Sequence, residues 1–158
     1  MSDVLQRVRD LLRSAEVAFT EKHHEPTFTS EESARARGES LAIGAKALVV
    51  KADEAFRLLV LPADRKLDSA AVKRNFGVKK LRFADAAELL VLTGLVPGSV
   101  PPFGPPVMEL PLFADPCLLD NEKMAFNAGS LTDSIVMAST DYQRVAGAEW
   151  LTMAAQRQ

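Results

Sequence analysis

Residues 45–61, with the sequence AKALVVKADEAFRLLVL, decide the fold. Two runs rich in Val, Leu and Phe, at residues 45–51 and 56–61, are too short for helices and have the apolar content of buried strands. The four residues between them form a connection short enough for an antiparallel hairpin. This segment therefore predicts a β-hairpin around which the rest of the chain is arranged.

Outward from the hairpin, short apolar runs alternate with segments that carry helix capping signals. An amphipathic helix is predicted at the N-terminus, where apolar residues recur at helical spacing from Val4 to Ala15. Four more helices are predicted, running from Thr29 to Gly38, Asp68 to Gly77, Asp85 to Gly94 and Thr140 to Gly147. Further strands are predicted at residues 17–22, 80–83, 107–113, 124–127 and 134–137. The predicted fold class is α/β in the loose sense (α+β), one domain over residues 1–158 with a mixed sheet surrounded by helices.

Composition limits the possible classes of function. The 158 residues are 47% hydrophobic, with a net charge of −2 that offers no general attraction for nucleic acid. No apolar run approaches the roughly 18 residues of a membrane helix, and the charged N-terminus lacks the apolar region of a secretory signal, so we expect a cytoplasmic protein. The single cysteine, Cys117, excludes an internal disulfide.

Most catalytic signatures are absent from the sequence. It contains no phosphate-binding glycine motif, no nucleophile elbow and no HExxH zinc motif. The two histidines, His23 and His24, are adjacent and on a strand would point to opposite faces, so we expect no metal site. A serine-histidine-acid triad would have to use one of these two residues, and no serine lies in a strained turn.

Three local features remain as candidates for chemistry. Lys46 begins the most apolar strand, either as a charged residue that protects a sheet edge or as an anion-binding group. The loop TGLVPGSVPPFGPP at residues 93–106 holds five prolines and three glycines. Three interpretations are open: a connector, a weak PxxP ligand at Pro102 and Pro105, or a rigid array in which Ser99 and Val100 offer N–H donors to an oxyanion.

The third feature is the segment at residues 126–134. A hairpin turn explains its small and amide residues, but Asn127, Gly129 and Ser134 would also line a small polar pocket beside the loop. The densest basic stretch contains Lys73, Arg74, Lys79 and Lys80. It is either a solvated helix face or a local contact for nucleic acid.

In order along the chain, these features resemble the YbaK/prolyl-tRNA synthetase-associated domain family of aminoacyl-tRNA editing proteins. The matching motifs are HEP (24–26), TSEE (29–32), GAKALV (44–49), LPADR (61–65), GVKKLRFA (77–84), TG (93–94), Gly98-x-x-x-Pro102 with Phe103-Gly104, and FNAG (126–129). The resemblance implies a trans-acting hydrolase without a cofactor that deacylates mischarged tRNA, most often tRNA for proline. It also implies aminoacyl-tRNA as substrate and prolyl-tRNA synthetase as a candidate partner.

The resemblance also implies roles for individual residues. Lys46 would bind the tRNA end, and the backbone from Gly98 through Ser99 and Val100 to Pro102 would hold the aminoacyl group. A ribose hydroxyl of the substrate would assist the attacking water, so no histidine base is needed. The pocket would be shaped by the remaining candidates, which are His24, Thr29, Phe103, Gly104, Asn127, Gly129 and Ser134.

Two departures from the family pattern bear on specificity. Ala47 follows Lys46, where the alanine-clearing branch typically has asparagine and the cysteine-clearing branch threonine. Ser134 stands near the position at which the cysteine-clearing branch has aspartate. The resemblance therefore assigns neither amino acid, and a non-catalytic module that docks a synthetase or tRNA complex is the alternative interpretation.

Overall fold

The computed structural model describes residues 3–156. Its helices are α1 (Val4–Ser14), α2 (Ser30–Arg37), α3 (Ser69–Phe76), α4 (Ala86–Thr93) and α5 (Ser139–Ala146). Its strands are β1 (Phe19–His23), β2 (Ala45–Ala52), β3 (Ala55–Pro62), β4 (Leu81–Phe83), β5 (Leu112–Ala114), β6 (Lys123–Asn127), β7 (Asp133–Ala138) and β8 (Glu149–Trp150). Short 3₁₀ turns lie at Leu41–Ile43 and Pro116–Asp120.

The predicted hairpin lies at the centre of a five-stranded sheet with the order β4-β2-β3-β5-β8. Strands β2 and β3 pair in antiparallel register from Ala45 opposite Pro62 to Ala52 opposite Ala55. Strand β4 adds to β2 in antiparallel fashion, whereas β5 pairs parallel with β3 and β8 parallel with β5. The mixed sheet surrounded by helices is thus confirmed.

The remaining strands form a separate antiparallel sheet with the order β1-β7-β6. A single bridge, between Gly44 and Ala125, connects it to the start of β2. This arrangement corrects the expectation that all strands share one sheet. The sequence pattern identified the strands, but local periodicity carries no information about which distant strands pair.

Strand β5 begins five residues later than predicted, and one further strand was not predicted. Residues 107–111 precede β5 as turns, because the N–H groups of Val107 and Met108 both donate to the carbonyl of Gly104. Strand β8 was not predicted, since it comprises only Glu149 and Trp150 and lacks a recognisable period.

Three of the predicted helix caps are confirmed. The side chains of Thr29, Asp68 and Asp85 accept the N–H of the third residue after them, and each helix ends at a left-handed glycine. The last helix is different, because it continues from β7 after Ala138 and Thr140 makes no cap bond. The N–H of Ser139 donates instead to the carbonyl of Glu122, so one N–H group of the first turn has a backbone partner outside the helix.

The five-stranded sheet is buried on both faces. Leu58 and Val60 belong to the larger hydrophobic cluster, whereas Val50 and Leu59 pack with Val72 of α3 on the opposite face. Because both faces of the sheet are buried, β2 and β3 are nearly continuous apolar runs in the sequence. Within residues 3–156, no helix has the length and apolar character needed to cross a bilayer.

Candidate functional site

A pocket of about 180 Å³ lies between α2, the start of β2 and the proline-rich loop. We call it the α2–β2 pocket. Five of the residues predicted from the sequence line it, namely Thr29, Lys46, Gly98, Val100 and Asn127. The fold therefore brings together candidates that lie up to about a hundred positions apart in the chain.

Lys46 lies near the start of β2, with its side chain half-buried at the pocket. Burial lowers the pKa of Lys46 below the ordinary lysine value, while the nearby carboxylates of Glu31 and Asp64 oppose this shift. Lys66 adds to the lowering by like-charge repulsion. A desolvated ammonium of this kind favours an anionic partner, which would restore its lost solvation.

The proline-rich loop presents its backbone to the pocket at Gly98 and Val100. Gly98 has a φ of 88°, a conformation that side chains with a Cβ rarely adopt. The N–H of Ser99 donates to the carbonyl of Val96 at 3.2 Å, so this predicted donor already has a partner. Within residues 3–156, the N–H groups of Gly98 and Val100 have none, and both residues line the pocket.

Several predicted residues fix the loop from behind and do not line the pocket. The Tyr142 hydroxyl donates to the Pro102 carbonyl at 2.7 Å, and the Phe103 ring packs edge-on against Phe126 and Tyr142 at centroid distances of 5.5 and 5.4 Å. A Cβ on Gly104 would lie 2.7 Å from the Leu110 carbonyl oxygen, so only glycine fits there. These contacts immobilise the loop.

Gly129 also acts behind the loop. Its N–H donates to the carbonyl of Ser99 at 2.9 Å. With a φ of 90°, it passes so close to α1 that an added Cβ would lie 3.1 Å from the backbone nitrogen of Leu5. Gly129 therefore connects the loop to β6 and α1 and makes no wall of the pocket.

Ser134 and His24 form a second layer behind the pocket. The buried Ser134 hydroxyl lies 2.8 Å from Nε2 of His24, and it accepts a hydrogen bond from Nε of Arg37 at 2.9 Å. Nδ1 of His24 lies 2.8 Å from the carbonyl of Glu25, which can only accept. In neutral His24, Nδ1 therefore carries the proton and Nε2 accepts from Ser134.

Three buried polar residues of the pocket were not predicted from the sequence: Thr27, Ser33 and Arg37. All three are buried, with exposed fractions of 4%, 3% and 6%, and the hydroxyls of Thr27 and Ser33 lie 2.8 Å apart. The available signal was the spacing of Ser33, Ala34 and Arg37, which places one face of α2 against the protein. A helix of small and charged residues has no apolar stripe to reveal that face.

The predicted basic stretch lies away from the α2–β2 pocket. The backbone N–H groups of Lys79 and Lys80 donate to the Asp53 carboxylate at the turn of the hairpin. Residues 46 and 52 are separated by about 20 Å along β2 at the usual rise per residue. Lys73 and Arg74 lie in the last turn of α3 and do not line the pocket.

No group of three or more His, Cys, Asp or Glu side chains in the described part of the chain is arranged to hold a metal ion. The polar groups of the pocket are ammonium, guanidinium, hydroxyl, amide and backbone N–H groups. Such groups bind anions and carbonyl oxygens, and they stabilise negative charge that develops on an oxygen during a reaction.

Comparison with known proteins identifies relatives over most of the chain. Multifunctional Ser/Thr-tRNA deacylase ProXp-y of Escherichia coli is 36% identical over 151 residues, which cover 91% of this chain and 89% of the relative. A proline–tRNA ligase of Shouchella clausii is 33% identical over 100 residues, 63% of this chain and 17% of the ligase.

Solved structures share the fold. A crystal structure described as that of a candidate trans-editing enzyme for prolyl-tRNA synthetase superimposes with a TM-score of 0.81 at 25% identity, over 99% of both chains. The model of the aminoacyl-tRNA editing domain family matches residues 24–145, which include the α2–β2 pocket. The resemblance seen in the sequence motifs is confirmed, and the chain belongs to the family of aminoacyl-tRNA editing domains.

Proposed function

We propose that this protein removes a small hydroxyl-bearing amino acid, serine or threonine, from the 3′ end of a mischarged tRNA. As a member of the editing family, the chain is an aminoacyl-tRNA deacylase, a hydrolase of the ester between amino acid and tRNA. The proposal concerns the amino acid and the residues that act on it. The named activity of the Escherichia coli relative supports serine and threonine, and the ligase relatives support tRNA for proline as the carrier.

One observation carries the proposal: the α2–β2 pocket combines a desolvated lysine, two unpartnered loop N–H groups and a polar interior. Its volume of about 180 Å³ suits a small aminoacyl group. The amino acid would therefore enter the pocket while the tRNA stays at its mouth. Lys46, which is only half-buried, would meet the polyanionic tRNA end there.

Hydrolysis would proceed by attack of water on the ester carbonyl carbon. The water oxygen bonds to that carbon, and the carbonyl oxygen gains negative charge that the N–H groups of Gly98 and Val100 would stabilise. Collapse of the tetrahedral intermediate breaks the bond to the ribose oxygen, which leaves as a hydroxyl after it takes up the proton that the attacking water gives up. The adjacent ribose hydroxyl would orient the attacking water.

The test is deacylation of tRNA for proline charged separately with serine, threonine, alanine, cysteine and proline. We expect hydrolysis of the seryl or threonyl species, and Lys46→Ala should lower kcat/KM by about 10- to 100-fold, the value of a charge-assisted hydrogen bond. Lys51→Ala is the matched control, since Lys51 is a half-buried lysine near the other end of β2. It should leave the rate unchanged.

Other outcomes of the same panel are decisive. Hydrolysis of alanyl or cysteinyl species alone would overturn the assignment of the amino acid. A folded protein that hydrolyses no species, with or without added prolyl-tRNA synthetase, would favour a non-catalytic docking module. Equal loss of activity in the Lys46 and Lys51 variants would show that Lys46 has no specific role.

A further inference from the structure

Arg37 is a buried cation with no carboxylate in hydrogen-bond contact among the described residues. It is 6% exposed, and its guanidinium donates to two neutral acceptors, the Ser134 hydroxyl through Nε and Oδ1 of Asn127 through Nη2 at 3.0 Å. Burial lowers the pKa of Arg37 to about 10, against a small opposing effect of Glu39. Arg37 therefore remains charged at neutral pH.

The third nitrogen of the guanidinium, Nη1, makes no hydrogen bond within residues 3–156. Arg37 itself lines the α2–β2 pocket. Nη1 is also close to Gly44, another pocket residue, because a methyl group added at Gly44 would lie 3.7 Å from it. A side chain that is more than nine-tenths buried thus directs an unpartnered N–H donor at a cavity.

The location of Nη1 limits what it meets in an enzyme–substrate complex. Arg37, Thr27 and Ser33 are the buried polar residues that line the pocket, whereas Lys46 is half-buried and Phe28 is 72% exposed. The ester stays near the exposed residues, because the polyanionic tRNA to which it is joined remains in solvent. The interior of the pocket is then reached by the amino-acid side chain.

Charge also restricts which part of the substrate can lie near Nη1 of Arg37. Arg37 and Lys46 both repel the α-ammonium of the substrate, so that group must point elsewhere. An apolar side chain would displace water from Nη1 and leave a charged donor unpaired. A hydroxyl on the side chain supplies the acceptor that the guanidinium lacks.

We propose that Arg37 is a specificity-determining residue whose Nη1 donates a hydrogen bond to the hydroxyl of the aminoacyl side chain. The inference rests on the proposed deacylase function and adds the residue that selects the substrate. The hydrogen bonds to Ser134 and Asn127 hold the guanidinium plane so that Nη1 keeps its direction. A site built to pair a substrate hydroxyl strongly discriminates against the analogue without it, since its own polar group is then left unsatisfied.

The test compares two pairs that differ in the side-chain hydroxyl, serine with alanine and threonine with its isostere valine, on the same tRNA. For the natural protein we expect kcat/KM to favour the hydroxyl member by about 100-fold or more. Arg37→Met should bring each ratio to within about tenfold, mostly by losing activity on the hydroxyl substrates. Arg35→Met is the control, because Arg35 is exposed on the same helix, and it should leave both ratios unchanged.

A merely structural role for Arg37 predicts a different result. Both members of each pair would then lose activity by the same factor, and the ratios would persist, which would overturn the inference. If Arg37→Met does not fold, the same two ratios are measured with Arg37→Lys, which keeps the charge. The natural protein alone also tests the inference. If it hydrolyses both species of a pair equally, Arg37 does not select for the hydroxyl. If it hydrolyses no species, the deacylase function itself is refuted.

Discussion

The side-chain amide of Asn127 connects the guanidinium of Arg37 to the backbone of Gly98. Nδ2 of Asn127 donates to the Gly98 carbonyl at 2.6 Å, and Oδ1 accepts from Nη2 of Arg37 at 3.0 Å. The bond to Arg37 determines which end of the amide faces the loop, because a guanidinium can only donate. Asn127 therefore links a buried cation of α2 to the backbone that would bind the oxyanion.

Replacement of Asn127 by Asp should impair catalysis while it preserves the contact with Arg37. A carboxylate still accepts from Nη2 but has no donor for the Gly98 carbonyl, so the loop loses one anchor and gains a repulsive oxygen. We expect kcat/KM for deacylation to fall by about 10- to 100-fold, corresponding to about 1–3 kcal/mol for an unsatisfied hydrogen-bonding group. Steady-state kinetics with tRNA for proline that is charged with serine measure this loss.

Asn75→Asp is the matched control for the change from amide to acid. Asn75 also donates to a backbone carbonyl, that of Thr152, but it is exposed on α3. It should leave deacylation unchanged. If the Asn127 variant retained full activity, the orientation of the Gly98 backbone would not depend on this hydrogen bond.

The pKa of Lys46 predicts a pH dependence of tRNA binding. Because burial lowers this pKa, the ammonium loses its charge at a lower pH than an ordinary lysine, which titrates at about 10.4. Affinity for a non-hydrolysable amide-linked aminoacyl-tRNA should therefore decrease as the pH rises through the alkaline range. Lys46→Arg should remove that decrease, since arginine stays charged, whereas Lys51→Arg should not alter it.

Much of the fold could be predicted from local sequence signals. The caps at Thr29, Asp68 and Asp85 were correct because the capping side chain and the N–H that it accepts lie three residues apart. The hairpin was predicted for the same reason, since its turn and both strands are contiguous. The separation of β1, β6 and β7 into their own sheet depends on pairing between distant segments, about which local patterns say nothing.

The residues of the candidate site show the same difference between local motifs and contacts between distant segments. Lys46, Gly98 and Asn127 were identified because they belong to recognisable motifs, and they do line the pocket. Arg37 was missed because α2 contains two arginines, and only packing against β6 and β7 distinguishes the buried one from exposed Arg35. Phe103 and Gly104 were assigned to the substrate, but their contacts lie in the core behind the loop.

Replacement of Tyr142 by Phe tests whether the loop is held from the core. The variant keeps the buried ring but removes the hydroxyl that donates to the Pro102 carbonyl. An unsatisfied buried carbonyl should lower the free energy of unfolding by about 1–3 kcal/mol. Ser139→Ala is the control, because Oγ of Ser139 is buried without a hydrogen-bond partner among the described residues. Urea denaturation should show little change for that variant, and an equal loss in both would refute the role of the Tyr142 hydroxyl.

Asp115 connects the C-terminal segment to the sheet, and its carboxylate makes stability depend on pH. The side chain is fully buried and accepts the N–H groups of Met153 and Ala154 at Oδ2 and that of Cys117 at Oδ1. Burial by itself would raise the pKa of Asp115, but these hydrogen bonds together hold it below the ordinary value. A carboxyl whose folded pKa is depressed contributes stability above its unfolded pKa of about 3.9 and loses it as the pH falls through the folded value.

Asp115→Asn should therefore destabilise the protein most at neutral pH. The amide keeps one acceptor oxygen but turns an NH₂ group toward N–H donors at the other position, so we expect a loss of about 1–3 kcal/mol in the free energy of unfolding. The difference from the natural protein should shrink as the pH falls from about 4 through the depressed folded pKa, because the natural carboxyl then becomes neutral as well. Urea denaturation at pH 7 and at acidic pH measures both values, and a difference that stayed constant would show that the Asp115 charge contributes nothing.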